Sequence, residues 1–288
     1  MRMHLDCYPC ALKQALEAAK FAHLSEAAQR DILHQALDLL RHLSPEASPP
    51  VIGQHIHRLV REFSGDRDPY APVKSLANQQ ALALLPSLRD RVHEAVDPLE
   101  AAVRYAIAGN IIDFGARSAS MDIRQEVERA EETAFGRCHL DRFRKAVSGA
   151  ESILYLGDNA GEIVFDRLLI ETLREITDAR ITFVARGSPV LNDATRDDAR
   201  QVGLEKLVPV IDNGSDAPGT IVTEINETVR KHLATDDLII AKGQGNYETL
   251  SHQEYPLFFL LQVKCPVIGQ DLGVATGQYV LVGNDSPD

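Results

Sequence analysis

Apolar positions along the chain fall into two regimes. Up to about residue 149 they recur at helical spacing. Ala11, Leu12, Ala15, Leu16 and Ala19 mark a first helix, and 25–43 reads as a second, with Ser25 as N-cap before Glu26. Further helices are predicted over 51–63, 71–85 and 86–95, separated by a proline-bearing loop at 45–50 and a turn-rich break at 64–70. Asp97-Pro98 opens a helix that ends at Gly109-Asn110-Ile111-Ile112-Asp113-Phe114-Gly115. An acid-rich helix over 121–134 and another over 139–147 complete this half, and Ser148-Gly149 marks a boundary.

Beyond it, short apolar runs alternate with amphipathic ones, which is the signature of a parallel sheet covered by helices. Strands are predicted over 153–156, 181–185, 207–211, 238–241, 267–269 and 279–282, and helices over 162–175, 193–202 and 221–232. The expected architecture is α/β: a helical N-terminal domain over 1–149, then a Rossmann-like domain over 150–288 with helices on both faces of a parallel sheet.

Candidate chemistry stands just past the strand ends. The first strand runs into Gly157-Asp158-Asn159-Ala160-Gly161-Glu162 and the second into Arg186-Gly187-Ser188-Pro189-Val190-Leu191-Asn192-Asp193. The third ends in Asp212-Asn213-Gly214 and the fourth in Lys242-Gly243-Gln244-Gly245-Asn246-Tyr247-Glu248. In a parallel sheet these ends share one edge, where open α/β sheets bind ligands. Each has a plain alternative as a helix cap or turn. Together, the carboxylates of Asp158, Asp193 and Asp212 and the amide of Asn159 suit a hard divalent cation. Arg186 and Lys242 suit a phosphate, with backbone amides near Gly243 and Gly245 and the Asn246 side chain beside it. The combination describes metal-assisted phosphoryl transfer to water. Asn110 and Asp113, bracketed by glycines, read either as a helix cap and turn or as polar groups closing the site from the helical side. A GxxxxGK[ST] phosphate loop and GxGxxG dinucleotide spacing are both absent from the sequence.

Composition narrows the partners. Of 288 residues, 42 are acidic and 30 basic, a formal charge of -12, which argues against nonspecific nucleic-acid binding. The N-terminus lacks a signal-peptide apolar stretch and no run is long enough to span a membrane, so a cytoplasmic protein is expected. Four cysteines do not form a secreted disulfide framework. Cys7-Tyr8-Pro9-Cys10 can be a helix entry with buried thiols, a redox pair, or half a zinc site completed from His4, Cys138-His139 or Cys265.

At the quoted motifs, in the same order along nearly the whole chain, the sequence resembles the metal-dependent damage-control phosphatases. This family was first catalogued as domain of unknown function 89 and is also called ARMT1-like. The CxxC resembles its stand-alone prokaryotic branch. The resemblance implies a helical part packed on a Rossmann-like domain. It also implies hydrolysis of phosphate esters of small metabolites, often sugar phosphates, with manganese, nickel, cobalt or magnesium. It maps metal ligation onto Asp158, Asn159 and Asp193, and phosphate gripping onto Lys242. Two competing readings stay open. One is a nucleotide- or S-adenosylmethionine-binding protein or carboxyl methyltransferase without phosphatase activity. The other is an interaction protein that assembles through its acidic helices.

Overall fold

The computed structural model describes residues 1–44, 46–109 and 123–284. Three helices, α1 (Cys7–Phe21), α2 (Glu26–His42) and α3 (Pro49–Ser64), form a bundle around alanine-rich faces. Ser25 caps α2 by accepting from the Ala28 N–H, and the prolines opening α3 stand where a helix leaves N–H groups unpaired anyway.

Helix α4 (Ala71–Glu94) is continuous, where the sequence predicts two helices meeting at Pro86. Its inward face, Lys74, Ala77, Asn78, Ala81, Leu85, Leu88 and Val92, keeps helical spacing straight past the proline. Burial of that face outweighs the roughly 3 kcal/mol that an interior proline costs. Next come α5 (Pro98–Ala108), capped by Asp97, and α6 (Ile123–Glu132). A short strand β1 (Phe135–Cys138) and helix α7 (Leu140–Gly149) follow.

The rest alternates: β2 (Ser152–Leu156), α8 (Glu162–Ile176), β3 (Arg180–Ala185), α9 (Arg196–Gln201) and β4 (Val210–Asp212). Then come α10 (Glu227–Thr235), β5 (Leu238–Lys242), α11 (Gly243–Leu250), β6 (Leu257–Gln262), α12 (Pro266–Leu272) and β7 (Tyr279–Gly283). The seven strands form one sheet in the order β1-β7-β6-β5-β2-β3-β4. Every pairing is parallel except β6 with β7. The α/β expectation therefore holds, with a mostly parallel sheet.

Further differences from the sequence reading lie near the C-terminus. Residues 267–269 lie in α12, not in a strand: Pro266 in the first turn starts a helix. The strand is the run just before it, Leu257-Phe258-Phe259-Leu260-Leu261, buried on both sides as an interior strand must be. One face of the sheet is covered by α4, α5, α7 and α8 in a single apolar core, which crosses the 149/150 boundary. A second core on the other face takes in residues from α10, α11 and α12. No helix among the described residues is long and apolar enough to cross a membrane.

Candidate active site at the sheet switch point

From β2 the chain winds to β3 and β4 on one side, then returns to β5 and β6 on the other. The crevice between β2 and β5 is thus where strand order reverses, the ligand position of doubly wound sheets. Residues 158–160 leave β2 here and pair with 192–194. Ala160 N–H donates to the Asn192 carbonyl at 2.8 Å, and Ala194 N–H to the Asp158 carbonyl at 2.7 Å. An isolated antiparallel bridge joins Asn159 to Asp193. This pairing brings Asp158, Asn159 and Asp193 together although 34 positions separate the first motif from the last of them (193 − 159 = 34).

Arg186, just beyond β3, lies against both carboxylates. Its Nε donates to Asp193 Oδ2 at 2.6 Å and a terminal nitrogen reaches Asp158 Oδ1 at 3.4 Å. Burial pushes the Asp158 carboxyl up to about 7, with the charges of Asp193 and Glu162 adding and Arg186 opposing. Burial also raises Asp193, opposed by its bond to Arg186. Two crowded carboxylates and an amide oxygen are a donor set that suits a hard divalent cation. Among the described residues no three His, Cys, Asp or Glu side chains form a group that could hold a metal.

The glycines of the fourth motif act through close approach. Gly243 has φ +78°, and a Cβ there would fall 1.9 Å from Asp158 Oδ2. A Cβ on Gly245 would strike the Pro218 carbonyl oxygen at 2.1 Å. This stretch is the first turn of α11, not a loop. Asn246 is wholly buried; its Nδ2 donates to the Lys242 and Gly157 carbonyls and its Oδ1 accepts from Thr220. Lys242 is also wholly buried. Its Nζ donates to Asp166 Oδ1 at 2.6 Å, Glu162 Oε1 at 2.7 Å and the Ala106 carbonyl at 2.6 Å. All three ammonium protons thus have protein acceptors, and Lys242 reaches a phosphoryl group only by giving up one of them. Asn110 and Asp113 lie outside the described residues.

Helix α4 supplies residues that the motif reading passed over. Asn78 accepts from the Gly161 N–H at 2.7 Å, tying α4 to the β2 turn, and donates to Asp198 and Gln201. Lys74 pairs with Asp68 at 2.7 Å and Asp198 at 3.3 Å. Their signal in the sequence is two polar residues four apart on an otherwise apolar helix face. A cleft of about 570 Å³ opens here, with Arg67, Lys74, Arg186, Arg196, Asp198 and Asp212 among its lining residues. All four cysteines are free thiols; Cys7 opens α1, and burial pushes Cys7 and Cys10 up with Cys265 and Glu248 nearby.

Sheet order and switch-point crevice define a doubly wound α/β protein that gathers Asp158, Asn159, Asp193 and Arg186 at its strand ends. The damage-control phosphatase ARMT1-like domain model matches residues 3–280, and the chain belongs to that family. A damage-control phosphatase of Archaeoglobus fulgidus is 36% identical over 97% of this chain and 98% of its own. A damage-control phosphatase of Pyrococcus horikoshii is 32% identical over 99% of both chains. An uncharacterized protein of Methanocaldococcus jannaschii is 35% identical over 96% of this chain and 94% of its own. The crystal structure of a DUF89 family protein from P. horikoshii superposes with a TM-score of 0.89 at 32% identity, covering 99% of this chain and all of that one.

Proposed function

We propose that the protein hydrolyses phosphate monoesters of small metabolites, sugar phosphates or damaged phosphometabolites, with a divalent cation held by Asp158, Asn159 and Asp193. The observation that carries this reading is the backbone pairing that sets these three side chains together beside Arg186 at the switch point. Family membership and the names of two relatives support the reaction class. Manganese, nickel, cobalt and magnesium are the candidate ions. Bound there, the cation supplies Lewis-acid polarisation of the phosphoryl group and acidifies water.

The chain's own groups do the rest. Arg186 faces both carboxylates and can turn a guanidinium edge to a phosphoryl oxygen, where charge builds in the transition state. Lys242 balances the buried carboxylates beneath and is a reserve cation for the phosphate. The bare Cα of Gly243 lets Asp158 sit against the start of α11. The α4-walled cleft, with carboxylates and cations interspersed, receives the hydroxyl-rich remainder of a small substrate.

The test is phosphate release from a panel of sugar phosphates and p-nitrophenyl phosphate, using metal-stripped protein with magnesium, manganese, cobalt or nickel restored singly. Metal-dependent turnover that vanishes in Asp158→Ala and Asp193→Ala is expected. A folded protein that turns over none of the panel with any ion overturns the reading.

A further inference from the structure

Beneath Asn159 lies a buried charged cluster that decides which way the Asn159 amide faces. Asn159 Nδ2 donates to Asp158 Oδ2 at 3.0 Å and to Glu162 Oε2 at 3.1 Å, and the Asn159 backbone N–H approaches the same Glu162 oxygen at 3.3 Å. Both neighbours are carboxylates, which in ionised form only accept. A flipped amide would set its oxygen against Glu162 Oε2, on a carboxylate ion-paired with Lys242, so Glu162 sets the orientation. The NH₂ faces the carboxylates, and Oδ1 is left as the atom available to a cation.

Glu162 is itself held. Its other oxygen accepts from Lys242 Nζ at 2.7 Å, and Lys242 continues to Asp166, which also accepts from the Tyr155 hydroxyl at 2.7 Å. Glu162, Lys242 and Asp166 are all 0% exposed. Glu162 cannot rotate away from Asn159 without stripping a buried ammonium of one of its acceptors.

We infer that Glu162 is a positioning residue: anchored by Lys242, it orients the Asn159 carboxamide so that Oδ1 rather than Nδ2 is presented to the divalent cation. The inference rests on the metal reading above and adds a residue to it. In Glu162→Gln only one carboxamide oxygen remains for donors on two sides, Lys242 on one and the Asn159 backbone and side-chain N–H groups on the other. With its oxygen on Lys242, its NH₂ confronts the Asn159 NH₂ and favours the flipped, non-ligating amide. With its oxygen on Asn159, an NH₂ group is forced against the Lys242 ammonium.

The experiment is manganese binding to metal-stripped protein, read by the electron paramagnetic resonance signal of free Mn²⁺. E162Q is expected to bind 10–100-fold more weakly than wild type, the range for lost outer-shell partners of metal ligands. D166N removes a carboxylate from the same lysine, one helical turn on and without a contact to Asn159, and is expected to bind as wild type does. E162Q that binds normally overturns the inference, as does equal weakening in E162Q and D166N. Wild-type protein that binds no manganese removes the metal reading as well, whereas binding abolished by D193A and untouched by E162Q removes the inference alone. If E162Q does not fold, wild-type protein labelled with ¹⁵N decides. The Asn159 side-chain NH₂ protons should stay protected from solvent exchange when Mg²⁺ saturates, and free exchange overturns the inference.

Discussion

At the scale of single residues, the site depends on close approach. Gly243 has no room for a side chain, because the Asp158 carboxylate stands where a Cβ would go and the backbone φ of +78° disfavours one. Gly243→Ala is therefore expected to displace Asp158 and cut metal affinity and turnover together. Gly65→Ala is the control: Gly65 has a similar φ of +64° and open space around it, so only backbone strain of about 1 kcal/mol should appear, with activity intact. Calorimetric metal titration and thermal melts of both variants separate the two effects.

Glu248 makes a second residue-scale case, remote from the phosphoryl chemistry. Burial pushes its carboxyl up to about 7, opposed by the Gln244 amide and the chain's amino terminus. A carboxyl with a raised folded-state pKa favours folding while protonated, so its contribution is present at acidic pH. It is lost as pH rises from the ordinary glutamate value through about 7. Glu248→Gln should remove that slope: denaturant unfolding at pH 5 and pH 8 should differ less in the variant, by an amount on the order of 2 kcal/mol.

At the scale of elements, α4 is the part of the helical half that matters most to the site. Asn78 gives the Gly161 N–H its acceptor and holds Asp198 and Gln201. Asn78→Ala leaves that N–H and the Asp198 carboxylate short of partners, at a cost of about 1–3 kcal/mol. Hydrogen exchange at 158–161 should rise with it, whereas an unchanged exchange rate would disconnect α4 from the turn. The same helix shows where sequence reading works and where it stops. Runs buried on both sides, such as Ile153–Leu156 within β2, declare themselves by continuous apolarity, and Ser25 and Asp97 declare helix starts by their side-chain chemistry. Pro86 reads locally as a break, because the packing that overrides it comes from other helices, chiefly α8 and α5. The Gly243–Gly245 stretch reads as a phosphate loop, yet each glycine answers to a contact far away in sequence: Asp158 for one, Pro218 for the other. The polar strand ends were legible as one edge, since parallel topology requires it. The three acceptors of Lys242 were not, because they belong to α5 and α8 and no local pattern pairs them.

At the scale of the whole molecule, the α1–α3 bundle has its own core, and α3 makes polar contacts with the α/β part. Asp216, on the segment after β4, is the centre of that junction. It accepts from Gln54 at 2.9 Å and from Arg58 at 2.6 and 2.9 Å, and it pairs with Arg61, which also donates to the Pro189 carbonyl at 2.7 Å. One carboxylate therefore clamps α3 beside the Arg186–Asp193 loop that carries Asp193, one of the three candidate metal ligands. Despite its burial, the Asp216 carboxyl is held below the usual carboxylate range by hydrogen bonds and charge from Arg58, with Gln54 and Arg61 adding. A lowered pKa stabilises the fold above the ordinary aspartate value and is lost as pH falls through the folded value. Asp216→Ala should therefore weaken the fold at neutral pH, by about 1–2 kcal/mol because Arg58 is half exposed and keeps its hydration, and by much less in acid. Because the clamp spans the junction, the loss should show first as faster hydrogen exchange in α3 and over 187–193, with β2 and β5 unchanged. Exchange that rises uniformly would mean that the bundle and the sheet unfold as one unit. A rise confined to α3 and that loop would mean that the bundle steadies one wall of the site while the sheet holds the other.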